Sequence, residues 1–256
     1  MKKKRIAVVT GASSGMGREF VLQIPKYCKS LDEIWVIARR AERLEKLAKE
    51  SSVKIVPIII DLQNQTDYKI YEEKLKNENP DIRILVNSAG YGVHGYFEEQ
   101  DEKEALGMIE LNCHALTKIT HMSLKFMHTN SRIINMASAA AFFPQKRFAV
   151  YSASKSYVLE FSRALNVELK DRKVYVTVVC PGPVDTEFFK KDNCDISQTF
   201  YKKIVMAKPE NVVKQALYDS VHKREISVYG RLMKAFHVVT QIIPSKIILF
   251  VTRYIL

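Results

Sequence analysis

Seven short, mostly β-branched runs alternate with longer amphipathic stretches. Most of the runs are apolar at consecutive positions, and no Gly-, Ser- or Pro-rich linker divides the chain. Together these predict an α/β fold: one domain over residues 1–256, a doubly wound sheet of about seven mostly parallel strands, and helices on both faces. A strand buried on both faces need not alternate apolar with polar residues, and repeated strand–helix–strand units imply right-handed crossovers.

The strands are expected at residues 6–10, 33–38, 54–60, 82–86, 132–136, 174–180 and 225–229. The first follows a basic start, Met1-Lys2-Lys3-Lys4-Arg5, and meets Gly11 too soon to be the apolar core of a signal peptide. Helices are expected over 40–50, with its Arg-Leu-Glu-Lys-Leu pattern, over 102–127 and over 152–170. Two places break the rhythm. Residues 183–209 lack a clear strand and are longer than a routine loop, so a substrate lid is expected there. The tail, residues 231–256, carries apolar positions at helical spacing, four basic residues and no acid. It could lie on a membrane surface, contact a subunit or cover the substrate mouth.

With 47% hydrophobic residues the 256-residue chain can build one large core, which excludes a disordered or fibrous protein. Forty Lys and Arg against 28 Asp and Glu give a formal charge of +12, which favours an anionic partner. The basic residues are dispersed and no nucleic-acid-binding signature accompanies them, so no nucleic-acid partner is expected. Cys28, Cys113, Cys180 and Cys194 form no C-x-x-C pair, so neither a metal site nor a disulfide framework is expected, and a reducing, cytoplasmic location fits.

Directly after the first strand comes Thr10-Gly11-Ala12-Ser13-Ser14-Gly15-Met16-Gly17, leading into a helix. A glycine-rich turn in this place lets backbone approach a pyrophosphate, whose charge then rests on the N–H groups of the helix N-terminus. This marks a Rossmann-like dinucleotide site. The second strand ends in Ala38-Arg39-Arg40, where an NAD-selective protein would place an acid on the ribose 2′-hydroxyl. Arg39, helped by Arg40 or a loop serine, can instead offer a planar fork to a 2′-phosphate, which favours NADP(H). The same arginines could be a solvated helix start, although cations there oppose the helix dipole. Asp61 and Leu62, after the third strand, are placed to reach the adenine or to cap a helix.

Tyr151-Ser152-Ala153-Ser154-Lys155 sets a tyrosine and a lysine four apart on one helical face. Ser138 lies at the end of a strand upstream, Asn112 on the preceding helix, and Asn87-Ser88-Ala89-Gly90 closes another strand. Taken in this order from residue 6 to about residue 186, the sequence resembles the short-chain dehydrogenases/reductases. Thr10 to Gly17 is similar to their cofactor loop, and Asn87 to Gly90 to their N-N-A-G turn, with Ser88 in place of the second Asn. Asn112, Ser138, Tyr151 and Lys155 are similar to their catalytic tetrad, and Pro181-Gly182 to their nicotinamide-side turn, which brings Val184 and Thr186 to the cofactor.

The resemblance implies that Tyr151 is the acid and base, that Lys155 lowers its pKa and holds the nicotinamide ribose, and that Ser138 polarises a carbonyl. It also implies that Asn112 anchors a water. A homo-oligomer, dimer or tetramer, is expected. Residues around the reacting centre are apolar: Val93, Tyr96, 139–143, Val184, Phe188 and Phe189. They favour a lipophilic ketone or secondary alcohol, steroid-like or bile-acid-like, as substrate. His94 could touch it or simply be solvated. A 3-oxoacyl-thioester reductase and a non-catalytic NADPH-binding protein remain alternatives.

Overall fold

The computed structural model describes residues 3–187, 206–243, 246, 247 and 250. Seven strands form one sheet: β1 (Arg5–Thr10), β2 (Glu33–Ala38), β3 (Lys54–Ile59), β4 (Asp81–Asn87), β5 (Arg132–Met136), β6 (Tyr175–Val179) and β7 (Ile226–Ser227). Their order is β3-β2-β1-β4-β5-β6-β7 and every neighbouring pair is parallel. The connecting helices are α1 (Gly15–Tyr27), α2 (Ala41–Glu50), α3 (Tyr68–Glu78), α4 (Glu102–Ile109), α5 (Leu116–Leu124), α6 (Ala149–Glu168), α7 (Pro209–Val221) and α8 (Arg231–Ile242).

The apolar runs are explained by burial on both faces. Along β1, Ala7 and Val9 enter one core with α1, α2 and α7, while Ile6 and Val8 enter a second core with α3, α5 and α6. β3 is an edge strand and mixes buried with exposed positions. Pro57 is tolerated there because it faces no further strand that would need its N–H. Thr10 at the end of β1 lies between Ile37 of β2 and Asn87 of β4. The winding reverses between β1 and β4, which opens a crevice beyond the carboxyl ends of these strands.

The structure alters one expectation and gives the surroundings of two others. The helix expected over 102–127 is interrupted by a π-helical turn, Glu110–Ala115, and ends at Leu124. Val184, expected at the cofactor and in the lid, is buried in the core beside Val212 and Val213. Its backbone bridges Ala207 in parallel, so the two ends of the expected lid meet, while residues 188–205, with Phe188 and Phe189, lie outside the described residues. The first part of the tail forms α8, which packs by one face only. Met233 sits where a Cβ on Gly182 would come within 2.8 Å of its sulfur, Phe236 meets Phe143 and His237 meets Phe142. Leu232, Val238, Val239 and Ile242 are exposed on the other side.

Candidate active site

The glycine turn is built for closeness. Gly11 has φ +67°, and a Cβ there would come within 2.8 Å of the Ala89 backbone. A Cβ on Gly17 would come within 2.3 Å of the Gly11 carbonyl oxygen, so α1 can begin directly under the turn only without a side chain. Thr10 joins the two loops that border the crevice: its Oγ1 accepts from the amides of Ser88, at 3.0 Å, and Ala89, at 3.1 Å. Ser14, Gly15, Met16, Ala89, Gly90 and Leu62 line the resulting crevice of about 680 Å³, with Thr186 opposite Gly15. A free helix N-terminus, a cleft of this size and a close backbone approach fit a dinucleotide.

At one end of the crevice the arginines are positioned by the loop. Arg40 donates to Ser13 Oγ from Nε, at 3.1 Å, and from Nη2, at 2.9 Å, and also to Ser14 Oγ at 2.8 Å. Arg39 extends beside it and pairs with Asp61 at 3.4 Å. Asp61 Oδ1 also accepts from the Gln63 amide, so this residue both turns the chain and faces the crevice.

Behind Gly90, a lining residue of the crevice, stands α6. Tyr151, Lys155, Val158, Ser162 and Leu165 fall on one helical stripe and are all buried, because that stripe packs on the sheet. Tyr151 and Lys155 are therefore adjacent: Lys155 Nζ lies 5.7 Å from the centre of the Tyr151 ring. Nζ donates to the Met136 carbonyl at 2.8 Å. Burial lowers the Lys155 pKa to about 8, against the opposing influence of the Cys113 and Cys180 thiols. Burial in turn pushes the Cys180 thiol up to about 12. Phe148 packs on the Tyr151 ring with centres 4.4 Å apart, and His94 packs on Phe148. Ser138 follows β5, and its Oγ accepts from the Ala140 amide at 3.1 Å, which starts the short 3₁₀ turn Ala139–Phe142.

Asn112 sits on the π-helical turn, and its side chain lies against Gly90. Its Oδ1 accepts from the Tyr91 amide at 3.0 Å, and its Nδ2 donates to the Tyr91 carbonyl at 2.9 Å and to Ser154 Oγ at 3.0 Å. Both amide hydrogens are thus committed to the protein, and Asn112 braces the loop after Gly90 against α6. Asn87 likewise faces inward: its Nδ2 donates to Thr120 Oγ1 at 2.9 Å and to Asn135 Oδ1 at 2.8 Å, and Asn135 continues to Ser162. It anchors β4 to α5 and β5, and its neighbours Ala89 and Gly90 reach the crevice. Pro181 accepts from the Ala139 amide at 2.8 Å and ties the end of β6 to the Ser138 turn.

Sequence reasoning did not single out Thr10 as a clamp, Ser154 as the link between Asn112 and α6, or Tyr91, Arg43 and Glu187. Ser154 lies inside the Tyr–Lys motif and donates to the Tyr151 carbonyl at 2.7 Å, so its place next to two recognised residues was the available signal.

The family model described as short chain dehydrogenase matches residues 5–197. The 17-beta-hydroxysteroid dehydrogenase type 3 of Homo sapiens is 33% identical over 202 residues, covering 74% of this chain and 62% of the relative. The very-long-chain 3-oxoacyl-CoA reductase of Phaeosphaeria nodorum is 32% identical over 194 residues, covering 72% of this chain and 56% of that protein. The chain therefore spans less than two thirds of the length of either relative. Among solved structures, a short-chain dehydrogenase from Sphingobium yanoikuyae in complex with NADPH superposes with a TM-score of 0.77 at 25% identity, over 94% of this chain and 96% of that one. The family model spans most of the chain and the seven-stranded parallel sheet agrees with the solved structure: the chain belongs to the short-chain dehydrogenase family.

Proposed function

We propose that the protein is an NADP(H)-dependent oxidoreductase that interconverts a ketone and a secondary alcohol on a lipophilic, steroid-like or bile-acid-like substrate. The observation that carries this reading is the burial of Tyr151 and Lys155 on one stripe of α6, with Lys155 directly behind Gly90, which lines a dinucleotide-sized crevice. Ser13, Arg39 and Arg40 at one end of the crevice would hold a 2′-phosphate, and the loop amides before α1 the pyrophosphate. The bound nicotinamide supplies or accepts the hydride.

The chain's own residues handle the proton. A free tyrosine titrates near 10 and is a weak acid at neutral pH. The Lys155 ammonium beside it stabilises the phenolate, so Tyr151 can give its proton to the substrate oxygen as negative charge builds there. Ser138 accepts from the Ala140 amide, which orients the hydroxyl and leaves its own hydrogen to donate to the same oxygen. Asn112 and Ser154 hold α6 and the Gly90 loop at the spacing this requires.

The steroid dehydrogenase relative supports a bulky lipophilic substrate, as do the apolar Phe148, Val93 and Ala140 around Tyr151. The fungal relative favours a second reading, reduction of a 3-oxoacyl thioester. The exposed apolar side of α8, flanked by Arg231 and Lys234, suits peripheral contact with a membrane; no helix among the described residues is long and apolar enough to cross one. A homo-oligomer and a reducing, cytoplasmic setting complete the reading. The test is NADPH oxidation across a panel of steroid ketones, other bulky ketones and 3-oxoacyl thioesters. Turnover of bulky ketones with thioesters inert supports the first reading. The opposite pattern supports the second, and tight NADPH binding with no turnover would reduce the protein to a nucleotide-binding module.

A further inference from the structure

Glu187 lies just past Thr186, far along the chain from α2, yet it joins two arginines at the end of the crevice where Arg39 and Asp61 stand. Arg40 Nη1 reaches its Oε2 at 3.1 Å, and Arg43 Nη1 reaches Oε1 at 2.7 Å and Oε2 at 2.9 Å. Arg43 lies three residues beyond Arg40, so both guanidiniums project from the same end of α2. Arg40 is also planted on Ser13 and Ser14 of the phosphate loop. The result is a cluster of two cations and two hydroxyls, built for a forked anion and holding a carboxylate of the protein itself. Ion pairing with the two arginines holds the Glu187 carboxyl below its ordinary range, so at neutral pH it is charged.

One carboxylate leaves this pair of cations half neutralised. A ribose 2′-phosphate carries close to two negative charges and three acceptor oxygens, and satisfies the same donors more fully. Glu187 also lines the crevice, together with Ser13, Ser14 and Arg40. We infer that Arg43 joins Arg39 and Arg40 in the 2′-phosphate subsite and that Glu187 is its built-in competitor, which the 2′-phosphate of NADP(H) must displace. This rests on the NADP(H) reading above. A rival carboxylate lowers the affinity for the phosphorylated cofactor and leaves the unphosphorylated one nearly untouched, so Glu187 sets the cofactor preference from within the chain.

The test uses adenosine 2′,5′-bisphosphate and adenosine 5′-monophosphate, which differ only in the 2′-phosphate. Their dissociation constants are measured by titration calorimetry on the whole chain. Glu187→Gln should tighten the bisphosphate by about two- to ten-fold, the range expected of two exposed ion pairs, and leave the monophosphate unchanged. Arg43→Gln should weaken the bisphosphate alone. If Glu187→Gln leaves the bisphosphate unchanged or weakens it while the unaltered protein still prefers it, the competitor is refuted and the NADP(H) reading stands. If neither the unaltered protein nor Glu187→Gln prefers the bisphosphate, the NADP(H) reading fails and this inference fails with it.

Discussion

The buried ammonium of Lys155 donates to the carbonyl oxygen of Met136 at 2.8 Å, which fixes it at the end of β5, beside the ring of Tyr151. The contact fixes its position, and burial sets its titration. Burial lowers the Lys155 pKa to about 8, so the charge that makes Tyr151 a usable acid is present below that pH and lost above it. In the reducing direction kcat/KM should therefore hold toward neutral pH and fall as pH rises through about 8, since this quantity reports groups of the free enzyme. Lys155→Met should remove turnover at every pH. A flat rate from pH 7 to 10 would separate Lys155 from the chemistry.

Gly90 tests the spacing between the loop and α6. A Cβ there would come within 2.8 Å of Asn112 Oδ1 and 3.3 Å of Lys155 Nζ. Gly90→Ala should push both aside and lower turnover by about 10²-fold, the scale of a displacement near 1 Å at a reacting centre, while the fold remains. Kinetics together with a circular dichroism melt check this. Unchanged turnover would mean that the Asn112 brace has slack to spare.

Thr10→Val keeps the shape of the side chain and deletes the acceptor shared by the Ser88 and Ala89 amides. Leaving these part-buried donors without their acceptor should cost about 1 kcal/mol in urea unfolding. Because these amides hold one wall of the crevice, dinucleotide affinity should fall as well. A loss of stability with cofactor binding intact would show that the clamp serves the fold alone.

Arg39→Asp places a second carboxylate beside Asp61, which now lies 3.4 Å from the guanidinium. The NADP affinity should fall by about 1–3 kcal/mol, as expected for loss of a charge-assisted contact. Measured against NAD by fluorescence titration, the preference should move toward NAD. An unchanged ratio would remove Arg39 from cofactor selection.

The sheet was legible because double burial leaves a local mark. Runs such as Ile34-Trp35-Val36-Ile37 are apolar throughout, and each of the seven expected strands forms, with ends shifted by a residue or two. The glycine loop and the Tyr151–Lys155 pair were legible for the same reason, since both are defined over fewer than ten neighbouring residues. What escaped is non-local. The π-helical turn at Glu110–Ala115 adds one residue to a helix whose apolar pattern barely changes. Asn112 keeps its place in the motif, but the three hydrogen bonds of its amide to Tyr91 and Ser154 depend on how that turn meets α6. Val184 was read as a lid residue because the segment lacks a strand pattern, and its bridge to Ala207 and its packing in the core join residues distant in the chain. Glu187 and Arg43 are 144 positions apart, and nothing in either neighbourhood announces the other.

The most direct measurement is Tyr151→Phe, assayed for turnover and for NADPH binding on the same preparation. The substitution removes only the phenolic hydroxyl and keeps the ring that packs on Phe148. Turnover should fall to background while the NADPH dissociation constant changes by less than about three-fold, since one neutral hydroxyl contributes little to cofactor binding. Retained turnover, with NADPH still bound, would contradict the assignment of Tyr151 as the acid.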